Sequence, residues 1–216
     1  MKRSIIALIL IATACLPLIY LAFIWQGLPQ QVPLHFDIYL KPDKIGDKSQ
    51  LWWPVSIVAA VSIGVYFLFQ NIHRIDPKRK AKPSGNFSRL SYVLVIFLAA
   101  INFIIVHSAK GEAQSMNLLF PIIGLLFAFI GNYFNSIKPN YFAGYRLPWT
   151  LNDDENWRRT HRLAGKMWFW GGLFFTVVSL FLPAFLIIPV FLTMVALLVI
   201  IPFVYSYRFF KTKMQH

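Results

Sequence analysis

Residues 167–207, MWFWGGLFFTVVSLFLPAFLIIPVFLTMVALLVIIPFVYSY, contain no Asp, Glu, Lys or Arg. Water offers such a run no stable home, so it must lie in lipid or be enclosed on every side. At 1.5 Å per residue a single helix of this length would be roughly 60 Å long, about twice the hydrocarbon thickness of a bilayer. The run is therefore expected to double back as two spans. Pro183 and Pro189 are expected to bracket the reversal, because proline removes a donor from the helical ladder.

Four more apolar segments have spanning length: Ser4 to Trp25, Leu51 to Gln70, Leu90 to His107 and about Asn117 to Phe134. The expected fold is an all-α polytopic membrane protein with six transmembrane helices. Composition agrees, with 57% hydrophobic and 13% charged residues, against about 45–50% and 25% in a soluble domain. A disordered chain has the opposite composition and is excluded. Pro17 and Pro121 fall inside spans and predict kinks. Trp25, Trp52, Trp53, Trp168 and Trp170 fall near span ends, where indoles form an interfacial belt.

The net charge of +13 does not indicate a nucleic-acid protein, because the cations lie in connections and form no folded basic surface. They orient the chain instead. With the amino terminus in the cytoplasm, every Lys and Arg except Lys41, Lys44, Lys48 and Lys110 falls on the inner side, as the positive-inside rule requires. Both termini are then cytoplasmic. The stretch after Lys2-Arg3 resembles a lipoprotein signal ending at Cys15, but it continues apolar to Trp25 and is read as a retained anchor. A lone cysteine forms no internal disulfide, no Cys/His cluster has zinc-ligand spacing, and no metal or cofactor is assigned. The chain divides into a first pair of spans (1–70) with an extracytoplasmic loop (28–48), a basic cytoplasmic linker (71–89), and a four-span region (90–216) with a cytoplasmic loop (135–166).

Two polar regions hold the candidate binding residues. The inner one is IKPNYFAGYRLPWTLNDDENWRRTHRLAGK, residues 137–166. Asn152 with Glu155 fits an N-cap and capping box, and Asp153, Asp154 and Glu155 suit the positive end of a helix dipole. One helix is expected from about Asp153 into the fifth span, its first turns standing in the cytoplasm or at the headgroups. Trp157, His161, Ala164 and Trp168 share one of its faces, able to pack under the irregular segment before it. Lys138, Asn140, Gly144, Arg146, Pro148, Trp149, Trp157, Thr160, His161 and Arg162 then form either a structured interfacial loop or a recognition platform for a protein or an anionic group. The outer region, LPQQVPLHFDIYLKPDKIGDK (28–48), presents Pro29, Pro33, His35, Phe36, Asp43 and Lys48 as a second candidate surface. Its prolines favour extended chain, and Pro42-Asp43 and Gly46-Asp47 favour turns.

No zinc-protease helix, nucleophile elbow or phosphate-binding glycine loop is present, so no enzyme activity is expected. The spans contain no acidic or basic residue at depth, which disfavours an ion-coupled pump. A small-solute or lipid transporter or channel stays open, with Asn71 and Asn102 as candidate seam residues. So does a membrane enzyme on envelope precursors, with His35 or His161 as base.

The inner segment resembles the signature of the SdpI family of bacterial immunity proteins at Gly144, Arg146, Pro148, Trp149, Thr150, Leu151, Trp157, Thr160, His161, Arg162 and Gly165, with Leu147 where threonine is commoner. The outer stretch is similar to an uncharacterised LPxxxPxHF-type module at Leu28, Pro29, Val32, Pro33, His35, Phe36, Pro42, Asp43, Gly46 and Lys48. Leu40 stands where that module has a glycine, a change unfavourable to a tight turn. The resemblance implies an inner-membrane protein protecting its cell against a secreted, membrane-active peptide toxin. For the best-known member it also implies toxin-dependent capture of a cytoplasmic transcriptional repressor. The expected partners are thus the lipid bilayer, a peptide toxin outside and a repressor inside, with no nucleic acid.

Overall fold

A computed structural model describes residues 2–75, 85–111 and 113–215. Lys78, Arg79, Lys80 and Lys82 of the expected basic linker lie outside the described residues. The chain forms α1 (Lys2–Ile24), β1 (Gln31–Phe36), β2 (Pro42–Asp47), α2 (Trp52–Ile75), α3 (Gly85–Ser108), α4 (Leu119–Phe134), α5 (Pro148–Leu151), α6 (Asp154–Ser179) and α7 (Ala184–Met214), with short 3-10 turns at Trp25–Gly27, Lys48–Leu51 and Ala113–Leu118. The protein is an all-α polytopic membrane protein. Among the described residues, Ser4–Gly27, Lys48–Ile72, Ser88–Ser108, Met116–Phe134 and Ala184–Met214 are long and apolar enough to cross a bilayer. Helix α6 has 26 residues, but its charged first half leaves only the part from Met167 onward apolar.

The six long helices pack as two groups. Helices α1, α2 and α3 contact one another, and α4, α6 and α7 form the second set around α6, with α3 against α4 joining them. The α4–α6 pair is the most extensive contact in the molecule, and glycines explain why. A Cβ on Gly165 would lie 2.9 Å from the Gly131 carbonyl oxygen, and one on Gly124 would lie 2.8 Å from that of Gly172. In lipid there is no hydrophobic drive between apolar helices, so close backbone approach through small residues carries much of their association.

Three expectations about breaks and ends need correction. The reversal within the long apolar run lies between Ser179 and Ala184, with Pro183 as N-cap, while Pro189 rides inside α7. Ala184 onward continues as helix because Pro183 precedes the first turn and deprives it of no bond. Pro121 is the third residue of α4, where an N–H has no intrahelical partner, so no kink is needed. The capping residue of α6 is Asp153, not Asn152. Its Oδ1 accepts from Glu155 N at 2.9 Å and Asn156 N at 3.2 Å, while Asn152 closes the short α5. Both residues suit a cap chemically, and the separate turn of α5 takes Asn152 out of contention.

The outer loop departs from the all-α expectation as a two-stranded antiparallel hairpin. Its register pairs Gln31 with Asp47, Val32 with Gly46, Pro33 with Ile45, His35 with Lys44 and Phe36 with Pro42. Its turn is made despite Leu40, which adopts φ 61°, a left-handed conformation costing a non-glycine residue about 1–2 kcal/mol. Two contributions oppose that cost. Asp37 Oδ1 accepts from the N–H groups of Tyr39 and Lys41, each at 2.8 Å, and the Leu40 side chain packs on the cluster of Phe120, Phe175 and Ile187. At the other end Val32 is fully buried with Leu21, Leu28, Leu51, Val55 and Val106. The hairpin therefore lies across both helix groups.

Candidate functional site

The irregular chain between α4 and α5 is held by side chains that replace missing secondary structure. Buried Asn140 uses its amide fully. Its Oδ1 accepts from Phe142 N and Ala143 N at 2.8 Å, and its Nδ2 donates to the carbonyls of Lys138 (2.8 Å) and Ala143 (3.2 Å). Thr150 Oγ1 donates to the Tyr145 carbonyl at 2.6 Å and accepts from Leu147 N at 2.9 Å. These bonds satisfy backbone groups that would otherwise be orphaned on burial.

His161 is the centre of this arrangement and is 1% exposed. Its Nδ1–H donates to the Trp157 carbonyl at 2.8 Å, and its Nε2 accepts from Tyr145 N at 3.1 Å. That donor set assigns the neutral Nδ1–H tautomer. Burial pushes its pKa down to about 4, against the partly opposing bond to Trp157. The ring stacks on Trp157 with centroids 4.0 Å apart and meets the edges of Phe134 and Tyr145 at 5.7 and 5.9 Å. Gly144 stands directly over the imidazole at φ +105°, and a Cβ there would strike Nε2. Trp157 Nε1 in turn donates to the Ile137 carbonyl at 2.7 Å. The expected shared face of Trp157, His161, Ala164 and Trp168 does pack under the irregular segment. Trp168 belongs to that interior, donating to Tyr145 OH at 3.0 Å, and is not a belt residue.

A second set of bonds ties this region to the end of α7. Trp149 Nε1 donates to Ser206 Oγ at 3.1 Å, and Asn156 Nδ2 donates to the Ser206 carbonyl at 3.0 Å. Thr160 Oγ1 donates to Asn156 Oδ1 at 3.0 Å, and Lys213 Nζ lies 2.8 Å from Asp153 Oδ2. For Asp153, burial raises the pKa but is outweighed by the bonds from Lys213, Asn156 and Glu155, which together hold it below the usual carboxylate value. Trp149 stacks on Phe210 with centroids 5.8 Å apart. Tyr145, Asn156, Ser206 and Lys213 carry this framework, and none was singled out from the sequence as a site residue. Ser206 and Lys213 lie too far along the chain for any local pattern to link them to it.

The predicted inner residues thus divide by accessibility. Asn140, Thr160, Trp157 and His161 are buried, Gly144 is half-buried against His161, and Trp149 is half-buried on α7. Lys138, Arg146, Pro148 and Arg162 are exposed. Arg146 is steadied by an Nη1 bond to the Tyr141 carbonyl at 2.6 Å. Arg158, Arg162 and Lys166 are also exposed and recur every four residues, making a cationic stripe along α6. His161 has both nitrogens engaged inside the protein, so it supplies no general base.

Of the outer residues, His35 and Asp43 come together at 2.6 Å between exposed side chains. Lys48 turns inward instead. Its Nζ donates to the carbonyls of Trp25 (3.0 Å) and Leu28 (3.3 Å) and lies over the Trp25 ring, favourably placed at the negative end of α1. Pro29 is exposed, while Pro33 and Phe36 are half-buried in the hairpin. Asp47 is held below the usual carboxylate range by hydrogen bonds from Ser49 and then Gln30. Among the described residues no group of three or more His, Cys, Asp or Glu is arranged to hold a metal.

The two candidate seam residues bond differently. Asn71 Nδ2 bonds back to the Phe67 carbonyl of its own helix at 2.8 Å, whereas buried Asn102 Nδ2 crosses to the Val55 carbonyl of α2 at 3.0 Å.

Comparison with known proteins bears directly on this framework. Residues 136–206, which contain nearly all of it, match the SdpI/YfhL protein family, and residues 6–59 match a domain of unknown function (DUF1648). The chain is 24% identical over 213 residues, 98% of its own length and 97% of the relative's, to "Immunity protein SdpI" of Bacillus subtilis (strain 168). No solved structure matches. The region that locks His161 beneath Gly144 lies within residues 136–206, the part of the chain that is similar to the SdpI/YfhL protein family.

Proposed function

We propose that this chain is a six-span immunity protein of the bacterial cytoplasmic membrane that protects its cell against a membrane-active secreted peptide toxin. The observation that carries this reading is the match to an immunity protein along nearly the whole of both chains. In this reading α6 is the crossing added to the five apolar spans. Both termini and the 135–166 loop face the cytoplasm, and the hairpin within the 1–70 unit faces outward. The exposed Lys138, Arg146, Pro148 and Arg162, with the accessible part of Trp149, form the inner contact surface for a repressor. The buried Asn140, Gly144, Trp157, Thr160 and His161 hold that surface in shape. Outside, His35 and Asp43 with the neighbouring Pro29, Pro33 and Phe36 contact the toxin, and Lys48 anchors the hairpin to α1.

Coupling between the two faces requires an element whose equilibrium both ligands bias. The hairpin is suited to that role because Val32 rests on one helix group and Leu40 on the other. The intrahelical bond of Asn71 disfavours that residue as part of a solute pathway, and the engaged ring of His161 disfavours that histidine as the base of an envelope enzyme.

The test is expression in a toxin-sensitive cell, followed by challenge with membrane-active peptides. Arg146→Ala and Trp149→Ala should lose protection at unchanged membrane abundance, and full protection in both would end the inner-surface assignment. Single cysteines at Lys44 and Arg146, with Cys15 replaced by serine, should react with an impermeant maleimide from opposite sides. Labelling of position 146 from outside intact cells would overturn the topology.

A further inference from the structure

We propose that the cleft between the two helix groups beside Tyr145 binds one acyl chain of an acidic phospholipid, with the phosphate held by Arg89, Lys138 and Arg146. This inference requires only that the chain sits in a bilayer and is independent of toxin immunity. The cleft has a volume of about 430 Å³, within the roughly 300–1,000 Å³ range of small-molecule sites. Leu90 and Leu94 of α3 form one wall, Ile130 and Phe134 of α4 a second, and Tyr145 with Trp168 a third.

The chemistry of the walls selects hydrocarbon. The polar atoms that Tyr145 and Trp168 could offer are already used, because Trp168 Nε1 donates to Tyr145 OH and Tyr145 OH donates to the Leu198 carbonyl. What remains facing the cleft is mostly carbon, which suits an acyl chain better than a polar solute.

The chemistry of the mouth selects an anion. Arg89 immediately precedes the lining residue Leu90, Lys138 follows Ile137, and Arg146 follows Tyr145. All three cations are exposed, and none has an ion-pair partner among the described residues. Arg146 spends a single N–H on the Tyr141 carbonyl, which leaves the rest of its guanidinium fork for phosphate oxygens. An apolar slot whose lining residues Leu90, Ile137 and Tyr145 each have an exposed cation next to them in the chain complements an amphiphile with an anionic head. A second copy of this chain, carrying the same +13 charge, would be repelled at that rim.

Trp168 in the wall reports on occupancy. The full chain is reconstituted in phosphatidylcholine vesicles containing rising fractions of phosphatidylglycerol brominated on its acyl chains. The Trp168 signal is isolated by subtracting the Trp168→Phe protein. Its quenching should saturate at low mole fraction, with an affinity about tenfold or more above that for brominated phosphatidylcholine, given roughly 1 kcal/mol per basic residue at an anionic surface. The triple variant R89Q/K138Q/R146Q should lose the preference between the lipids. Val199→Phe, which narrows the cleft without touching a charge, should abolish saturation. Quenching that rises linearly and equally for both lipids would overturn the proposal, as would unchanged saturation in Val199→Phe. Displacement by free glycerol phosphate would overturn a lipid as the occupant.

Discussion

The backbone N–H of Tyr145 donates to Nε2 of His161 at 3.1 Å, so a residue of the irregular segment closes the hydrogen-bond inventory of a buried ring on α6. The segment bends into this position through Gly144, whose φ of +105° and missing Cβ are both required. Gly144→Ala should therefore destabilise the protein by about 3 kcal/mol, from backbone strain plus overpacking against the imidazole. Gly111→Ala is the control. Its φ is +90° with open space around it, so strain alone applies, about 1 kcal/mol. Thermal unfolding in detergent should rank wild type above Gly111→Ala above Gly144→Ala; equal losses in the two variants would contradict a specific contact with His161.

Protonating His161 removes the acceptor that Tyr145 uses. The folded-state pKa is pushed down to about 4 from a reference of 6.5, so the unfolded chain binds the proton more readily. Its stabilising contribution is fully present above pH 6.5, declines as pH falls toward 4, and is lost below that. The total loss is about 3 kcal/mol, at about 1.4 kcal/mol per unit of displacement. Unfolding measured from pH 7 to 4 should show this slope in the wild type. In His161→Asn stability at pH 7 should be lower and the slope shallower.

Helices α4 and α6 meet backbone to backbone at Gly131 and Gly165. Gly131→Val forces atoms into that contact and should cost about 3 kcal/mol or more, seen as lost resistance to detergent and protease at normal synthesis. Gly64→Ala is the matched helix substitution, with nothing near its added Cβ, and should leave resistance unchanged or slightly raised.

The Lys213–Asp153 pair clamps the end of α7 to the start of α6 at 2.8 Å, with the lysine half exposed. Pairs of this exposure contribute little and are screened by salt. A double-mutant cycle with Lys213→Ala and Asp153→Ala should return a small favourable coupling that shrinks with salt. Faster hydrogen exchange near Ser206 in Lys213→Ala would locate the loosening. A coupling near zero at low salt would remove the clamp.

Much of the fold was determined by local chemistry that a linear sequence displays. Charge-free length sets the spans, because no backbone group can go unsatisfied in hydrocarbon. The run of residues 167–207 therefore had to turn back, and the apolar face through Trp157 and His161 had to find cover. The signature from Gly144 to Gly165 was legible for the same reason, since its residues are close neighbours in the chain, and it falls within the stretch similar to the SdpI/YfhL family.

Only the tertiary structure decided which signature residues are framework and which are surface. His161 looked like a candidate binding residue or base until Tyr145 N and the Trp157 carbonyl took both its nitrogens. Ser206 and Lys213 became part of the region through bonds spanning 50 or more residues. The Leu40 turn likewise formed against local preference because Phe120 and Ile187 were there to cover the side chain. Burial and hydrogen-bond partners at such separations depend on how helices pack, and no local pattern carries that information.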